Sequence, residues 1–241
     1  MNFLLLDIGN TSIAYSITKN GKVTDIHRVE NQENINKFMR LFNFSHIDKT
    51  LICSVAPSIS DSVVDVLKYK DVDYFEINYT HAKTKLLVDK PSEVGNDRIC
   101  NIMGAKVVNA PAIIIDFGTA TTYDIINENG DFIGGAISPG IDISADYLIN
   151  KAALLKTTAY IFPNSIIGTT TESNIQSGVM YGGLFSVIGM INSIKSELGN
   201  QDVEIIITGG FGKLISDKLD IKHKYIESLT MDGMLNVYSS C

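Results

Sequence analysis

Two short segments of the sequence combine a carboxylate, a glycine and several hydroxyl groups in the same order. Residues 7–12 read DIGNTS, and residues 116–122 read DFGTATT. A glycine directly after a strand lets the backbone approach a phosphate closely, because no Cβ stands in the way. The carboxylate before it can orient a hydrated Mg²⁺, directly or through water. Each segment is therefore a candidate phosphate-binding turn.

A single copy of this pattern would equally fit an ordinary hairpin, since the same residue types form turns well. The second copy favours the binding interpretation. The two turns stand at a constant offset of 109 residues, and the Asn-Gly pairs at 20–21 and 129–130 keep that offset. Two such turns can hold the phosphates of one nucleotide between them. The sequence contains no G-x-x-x-x-G-K-[ST] segment, which excludes a P-loop.

Asp97, within the segment PSEVGNDR at residues 91–98, is a further candidate for chemistry. An aspartate that opens a helix is commonly its N-cap. The same carboxylate can instead align and deprotonate a substrate hydroxyl, as phosphoryl transfer requires. The spacing alone leaves these two interpretations even. The Gly-Gly turn at 209–210 is similarly open, since it fits a simple strand-to-helix turn or the adenosine end of a nucleotide site.

The elements around these turns form an internal repeat. Residues 4–21 and 113–130 each indicate an apolar strand, a D-x-G turn, a second strand and an Asn-Gly reversal, and a third strand follows in each copy. Alternating strands and helices come after both. The sequence therefore predicts an α/β protein with two duplicated ribonuclease-H-like (actin-like ATPase) domains, at residues 1–110 and 111–241, whose mixed sheets are flanked by helices.

Composition restricts the class of partner. Of the 241 residues, 45% are hydrophobic and 20% are charged, and the formal net charge of −7 argues against a nucleic-acid surface. The apolar run at residues 3–6 is too short for a signal peptide or a membrane span, so we expect a cytoplasmic protein without a membrane partner. The four histidines show no zinc-ligand spacing.

Eight segments, in order, resemble the type III pantothenate kinase family along essentially the whole chain. They are DIGNT at 7–11, ICSVAP at 52–57, PSEVGNDR at 91–98, DFGTATTYD at 116–124, GGAISPGI at 134–141, IQSGVMYG at 175–182, TGG at 208–210 and LTMDGM at 229–234. The resemblance implies ATP-dependent phosphorylation of pantothenate at its primary hydroxyl, the first step towards coenzyme A, with Mg²⁺ accompanying ATP.

The resemblance also implies roles for individual residues. It assigns Asp97 as the general base and Asp116 as the ligand of an activating monovalent cation, K⁺ or NH₄⁺. It places the ATP phosphates against Asp7, Ile8, Gly9, Asn10, Thr11, Ser12 and Thr119. It places pantothenate against Gly95, Asn96, Asp97, Arg98 and Thr171. Members of the family are homodimers, so a second copy of the chain is the expected partner.

The acceptor pocket departs from the family pattern at three positions. Val88 stands where a tyrosine is frequent, Asn96 replaces an alanine, and Thr169 replaces a lysine. Two alternatives therefore stay open beside pantothenate kinase: a non-catalytic binding or regulatory protein of the same fold, and a kinase for another small hydroxylated acceptor. Retention of the three aspartates at 7, 97 and 116 favours an enzyme.

Overall fold

The computed structural model describes residues 1–31, 35–107, 111–152 and 155–241. Contacts divide the chain into two compact units. The first unit consists of Met1–Val108, Ile126–Gly134 and Ser228–Cys241, and the second of Asn109–Ile125 and Gly135–Glu227. The predicted boundary adjoins residues 108–110, which lie outside the described residues, and the division into 1–110 and 111–241 stays a prediction.

The first unit is built on a five-stranded sheet. Its strands are β1 (Phe3–Ile8), β2 (Ser12–Ile17), β3 (His27–Glu30), β4 (Lys49–Ser54) and β5 (Tyr74–Glu76), in the spatial order β3-β2-β1-β4-β5. The β1 strand pairs antiparallel with β2 and parallel with β4. Parallel pairs need crossover connections, which α1 (Ile35–Met39) and α2 (Pro57–Tyr69) provide before and after β4.

Alternation along β1 sends its side chains to two faces of the sheet. Leu4, Leu6 and Ile8 pack in one buried cluster with the apolar faces of α1 and α2. Two further helices, α3 (Asn96–Gly104) and α7 (Leu229–Ser239), pack against each other and against β4. Their backbones lie in contact, because a Cβ added at Gly233 would lie only 1.8 Å from the carbonyl oxygen of Cys100.

The second unit repeats the strand order of the first. The second sheet contains β6 (Ala112–Phe117), β7 (Ala120–Ile126), β8 (Phe132–Pro139), β9 (Glu204–Gly209) and β10 (Lys224–Tyr225), in the order β8-β7-β6-β9-β10. As in the first sheet, the central strand pairs parallel with the strand that follows the crossover, here β6 with β9. Two sheets with the same order confirm the duplicated α/β fold that the repeat predicted.

Among the residues that the structure describes, the second unit contains the helices α4 (Ile141–Lys151), α5 (Thr171–Leu198) and α6 (Gly212–Ser216). Buried side chains of α5, including Met180, Val187 and Ile191, pack on the isoleucines of β6 and β9. With 28 residues and a mean hydropathy of 1.3 in its most apolar window, α5 is able to cross a membrane by length and composition alone. A core helix of this composition meets the same criterion.

Candidate active site

The first candidate turn follows β1 at the carboxyl edge of the first sheet. Asp7 is half-buried and stands in register with Cys53 of the parallel β4. The turn closes where the Gly9 N–H donates to the Ser12 carbonyl at 3.0 Å, and Asn10 and Thr11 are exposed at its tip. Residues 7–12 therefore form one turn, as predicted, with a carboxylate at its base and polar groups facing solvent.

The end of β3 braces this turn from the side. Asn31 donates from Nδ2 to the Gly9 carbonyl at 2.7 Å and from its backbone N–H to the Thr11 carbonyl at 3.0 Å. Arg28 donates from Nη1 to Ser12 Oγ at 2.9 Å. Neither residue was predicted from the sequence. The signal that points to them is the third strand of the repeat, which must return alongside the turn.

The start of α3 brings the second group of predicted residues to the same edge. The Asn96 side chain donates to the Ser54 carbonyl at 2.9 Å, which fixes the helix to the end of β4. Gly95 is the N-cap, and Asp97 lies one residue inside the helix, where its Oδ1 accepts from the Arg98 N–H at 2.8 Å. Asp97 is therefore not the N-cap, which removes the purely capping interpretation of this carboxylate.

The electrostatics of this edge set the protonation of Asp97. Burial raises its pKa above the ordinary aspartate value, and the N–H and charge of Arg98 only partly oppose that shift. Beneath it, the pKa of the Cys53 thiol is raised well above its usual value by a hydrogen bond with Cys100, by burial, and by the charges of Cys100, Asp7 and Asp97. Both carboxylates thus lie close to Cys53. A half-desolvated carboxylate with a raised pKa is suited to accept a proton.

Arg98 contacts Phe132, whose backbone is held by hydrogen bonds to the segment at residues 85–87. The Phe132 N–H donates to the Lys85 carbonyl at 3.0 Å, and the Leu87 N–H donates to the Phe132 carbonyl at 2.8 Å. The guanidinium carbon of Arg98 lies 5.4 Å from the centre of the Phe132 ring, within the range of a cation–π contact. Val88, which stands where the family pattern frequently has a tyrosine, comes directly after residues 85–87. The sequence analysis did not connect Phe132 with Arg98.

The second candidate turn lies in the second unit, between β6 and β7. The Gly118 N–H donates to the Ala120 carbonyl, and the Gly140 N–H donates to the Thr119 carbonyl, both at 3.0 Å. Thr119 is exposed at the tip, and Asp116 is half-buried. Gly209 has a φ of +88°, and a Cβ there would lie 2.3 Å from Asp116 Oδ1. The predicted Gly-Gly turn therefore meets the Asp116 carboxylate directly.

Thr171, also in the second unit, opens α5 beside a cavity. Thr170 caps the helix through a reciprocal pair with Ser173. The cavity measures about 790 Å³, and Thr171, Asn174 and Ser186 contribute polar atoms to a wall formed mainly by α4 and α5. The structure thus groups Asp7, the rest of residues 8–12 and residues 95–98 in the first unit, and Asp116, Thr119 and Thr171 in the second.

Comparisons with known proteins give a consistent result. The family model for type III pantothenate kinase matches residues 3–193. Two relatives named type III pantothenate kinase come from Sulfurihydrogenibium sp. (strain YO3AOP1) and Agathobacter rectalis. The first is 34% identical, with 96% of this chain and 97% of the relative covered. The second is 32% identical, with 98% of this chain and 96% of the relative covered.

Solved structures resemble this one at lower sequence identity. A Campylobacter jejuni protein described as a Baf family transcriptional activator has a TM-score of 0.64 at 19% identity, with 98% of this chain and 97% of that chain covered. A propionate kinase from Francisella tularensis has a TM-score of 0.54 at 9% identity, with 98% of both chains covered. At these identities the structural similarity confirms the actin-like fold class, and no function is inferred from it.

Proposed function

We propose that the carboxyl edge of the first sheet performs a phosphoryl transfer, with Asp97 as the general base. The chain belongs to the type III pantothenate kinase family and is an ATP-dependent kinase of pantothenate. The observation that carries this proposal is the pairing of a phosphate-type turn with a half-buried carboxylate of raised pKa at the same edge. A glycine N-cap leaves the Asp97 carboxylate without a capping duty.

In the proposed reaction, Asp97 accepts the proton of the primary hydroxyl of pantothenate while that oxygen attacks the γ-phosphorus of ATP. The new O–P bond forms as the bond from the γ-phosphorus to the β,γ-bridging oxygen breaks. ADP leaves with that electron pair, and the proton on Asp97 passes to solvent. A positioned base of this kind contributes about 10²–10⁴ in rate, and most of the remaining catalysis comes from positioning and charge neutralisation.

The first turn is proposed to hold phosphates of ATP through its N–H groups and the side chains of Asn10, Thr11 and Ser12. Mg²⁺ usually binds through one or two carboxylates together with substrate phosphates and water. Asp7 is the carboxylate that the turn offers for this purpose. Thr119, exposed at the tip of the second turn, stays a predicted ATP contact.

A monovalent cation is proposed to bind at Asp116. One support is steric: the Asp116 carboxylate occupies space next to Gly209 that a side chain at that position would fill. The other support is chemical. The carboxylate is an oxygen ligand of the kind that K⁺ accepts, and NH₄⁺ can donate hydrogen bonds to it. A bound cation would supply positive charge beside the second turn.

A homodimer in the cytoplasm is the proposed working form. Support comes from large apolar side chains that are exposed on the second unit: Ile137, Ile143, Tyr147, Leu148, Ile166, Ile167 and Phe185. Large apolar side chains exposed in this number are a feature of surfaces that pair with another protein. The net charge of −7 supports a small-molecule substrate in preference to a nucleic-acid partner.

The test is ADP release by purified protein with Mg-ATP and K⁺, with and without pantothenate. We expect release only with pantothenate, a much lower rate when Na⁺ replaces K⁺, and a loss of about 10²–10⁴ in turnover for Asp97→Asn. Asp25→Asn, which removes an exposed carboxylate, is the matched control and should keep full activity. Binding without turnover would indicate a regulatory protein, and ADP release with a different hydroxylated acceptor would indicate another kinase.

A further inference from the structure

Arg28 brings a guanidinium to the first turn from a neighbouring strand. It is exposed on β3, and its Nη1 donates to Ser12 Oγ at 2.9 Å. An arginine side chain has five N–H donors in a planar fork that matches a phosphate, and the bond to Ser12 uses one of them. The side chain is therefore held at the turn while donors are left for a further acceptor.

Strand register places Arg28 on the same face of the sheet as Asp7. Arg28 stands opposite Ala14, Ala14 opposite Asp7, and Asp7 opposite Cys53, and residues directly opposite each other share a face. Neighbouring strands lie about 4.8 Å apart, so roughly 10 Å separates the backbones of β3 and β1. Ala14 lies between them on this face and carries no side-chain atom beyond Cβ.

Arg28 and Asp97 lie on opposite sides of the turn along this face. Asp97 lies in the first turn of α3, which is fixed to the end of β4 by the bond from Asn96 to the Ser54 carbonyl. Arg28 lies on β3, beyond β2, and the strand order β3-β2-β1-β4 puts the turn between β1 and β2 in the middle. In phosphoryl transfer the attacking oxygen, the phosphorus and the leaving oxygen are roughly in line. If the γ-phosphorus lies at this turn, a base at the β4 side puts the leaving group towards β3.

We propose that Arg28 binds the β-phosphate of ATP and stabilises the negative charge that ADP gains as the bond to the γ-phosphorus breaks. This inference rests on the proposed function, because it takes Asp97 as the acceptor side of the transfer. A chain with a net charge of −7 repels a nucleotide at long range. A positively charged side chain at the turn would oppose this repulsion locally.

The experiment compares Arg28→Gln with Arg40→Gln, which removes the same charge from another exposed arginine. Calorimetric titration with ADP, ATP and AMP measures binding, and the ADP-release assay measures kcat/KM for ATP. Loss of a charge-assisted contact predicts about 10- to 100-fold weaker ADP and ATP binding for Arg28→Gln. AMP binding and the KM for pantothenate should stay at the wild-type value, Arg28→Lys should recover part of the loss, and Arg40→Gln should match the wild type.

Several outcomes would overturn the proposal. Equal weakening of AMP and ADP would mean that Arg28 does not contact the β-phosphate. A Ser12→Ala variant that reproduces the whole loss, with no added effect of Arg28→Gln in that background, would make Arg28 a brace for Ser12 only. If Arg28→Gln fails to fold, Arg28→Lys takes its place. ADP and AMP affinities of Arg28→Lys that both equal those of the wild type would contradict a bidentate contact between the Arg28 guanidinium and the β-phosphate. A wild-type protein that binds ADP but never turns over pantothenate would contradict the proposed function and leave the binding comparison valid.

Discussion

Burial of the Asp97 carboxylate opposes folding when the group is ionised, and the same raised pKa suits the general base that we propose. Its carboxylate loses part of its hydration at the start of α3, and the N–H and charge of Arg98 do not fully compensate. The folded-state pKa is therefore higher than that of the unfolded chain. Such a group favours folding below the unfolded pKa and loses that contribution as the pH rises through the folded pKa.

The first consequence concerns stability. Asp97→Asn removes the buried charge but keeps an Oδ1 that can accept from the Arg98 N–H, so we expect a higher melting temperature than the wild type at pH 7. The gain should shrink as the pH falls through the raised folded-state pKa, and it should vanish below the ordinary aspartate pKa of about 3.9, where the wild-type carboxyl is protonated in both states. Thermal unfolding of both proteins from pH 3 to pH 8, by circular dichroism, measures this difference. A variant that melts lower than the wild type at pH 7 would show that Asp97 stabilises the fold.

The second consequence concerns activity, because a base works only when it is deprotonated. We expect kcat/KM for pantothenate to fall on the acid side with an apparent pKa above the ordinary aspartate value, as the raised pKa of Asp97 requires. The residual activity of Asp97→Asn should lack this acid limb. Initial rates across a pH series, with an independent check that the protein stays folded, test the expectation. A wild-type acid limb that persists in the variant would assign it to another group.

The sequence predicted the turn residues because their chemistry is local, whereas the proposed role of Asp97 came from the family resemblance, since the spacing alone left capping and catalysis even. A carboxylate, a glycine and hydroxyls within six positions identify a turn without knowledge of the fold. Arg28 and Asn31 were missed because only the register of β3 brings them to residues 9–12. Phe132 was missed for the same reason, since its contact with Arg98 joins segments that the sequence keeps far apart.

At the scale of single elements, the repeat predicted where each hairpin reverses but not how. Asn20 and Gly21 both have positive φ, at 53° and 74°, which is the pattern of a type I′ turn. In the second copy Gly130 has positive φ, and the Asn127 side chain accepts from the N–H groups of Asn129 and Asp131. The two Asn-Gly pairs look equivalent in sequence, yet the side chain of Asn127, two residues before the second pair, accepts hydrogen bonds that the first turn does not show in the same place.

The contact between α3 and α7 makes a sharp prediction about a glycine. A Cβ at Gly233 would lie 1.8 Å from the Cys100 carbonyl oxygen, which is backbone and cannot rotate away. We expect Gly233→Ala to destabilise the protein by about 1–3 kcal/mol or more, since overpacking forces the two helices apart. Urea unfolding followed by fluorescence or circular dichroism measures the change.

Gly189→Ala on the exposed side of α5 is the matched control. A Cβ there meets no atom within 4 Å. The same substitution in a helix interior should then stabilise by about 0.5–1 kcal/mol, because alanine loses less conformational freedom than glycine. If both variants unfold at the wild-type urea concentration, α3 and α7 do not touch through their backbones as described.

At the scale of the whole molecule, the duplicated strand order could be predicted from the sequence. The assignment of α7 to the first unit could not. Hydrophobic periodicity and the 109-residue offset specify two similar sheets. Nothing in the local pattern of residues 229–239 indicates that this helix packs with α3 of the first unit, since its partner surface is set by backbone fit at Gly104 and Gly233. Tertiary contacts of this kind lie beyond what periodicity can encode.

The proposed dimer gives a prediction at this scale. Light scattering at micromolar concentration should give twice the chain mass of 26.4 kDa. Phe185→Asp should shift the protein towards monomer, because an ion on the exposed apolar surface of the second unit would lose its hydration in the interface. Tyr69→Asp is the control, since Tyr69 is 91% exposed at the end of α2 in the first unit. A wild-type protein that is monomeric at this concentration would contradict the dimer.

The pairing of α3 with α7 also has a consequence for the order of events on the ribosome. The helix that begins at Asn96 is made early, whereas its packing partner begins at Leu229, after the second sheet has been translated. At about 5–20 residues per second, the 133 residues between these two positions take roughly 7 to 27 s. During that time the nascent first unit presents the glycine-containing side of α3 uncovered. The packing of α3 against α7 is therefore completed only after the second sheet, with its turn at residues 116–122, has been translated.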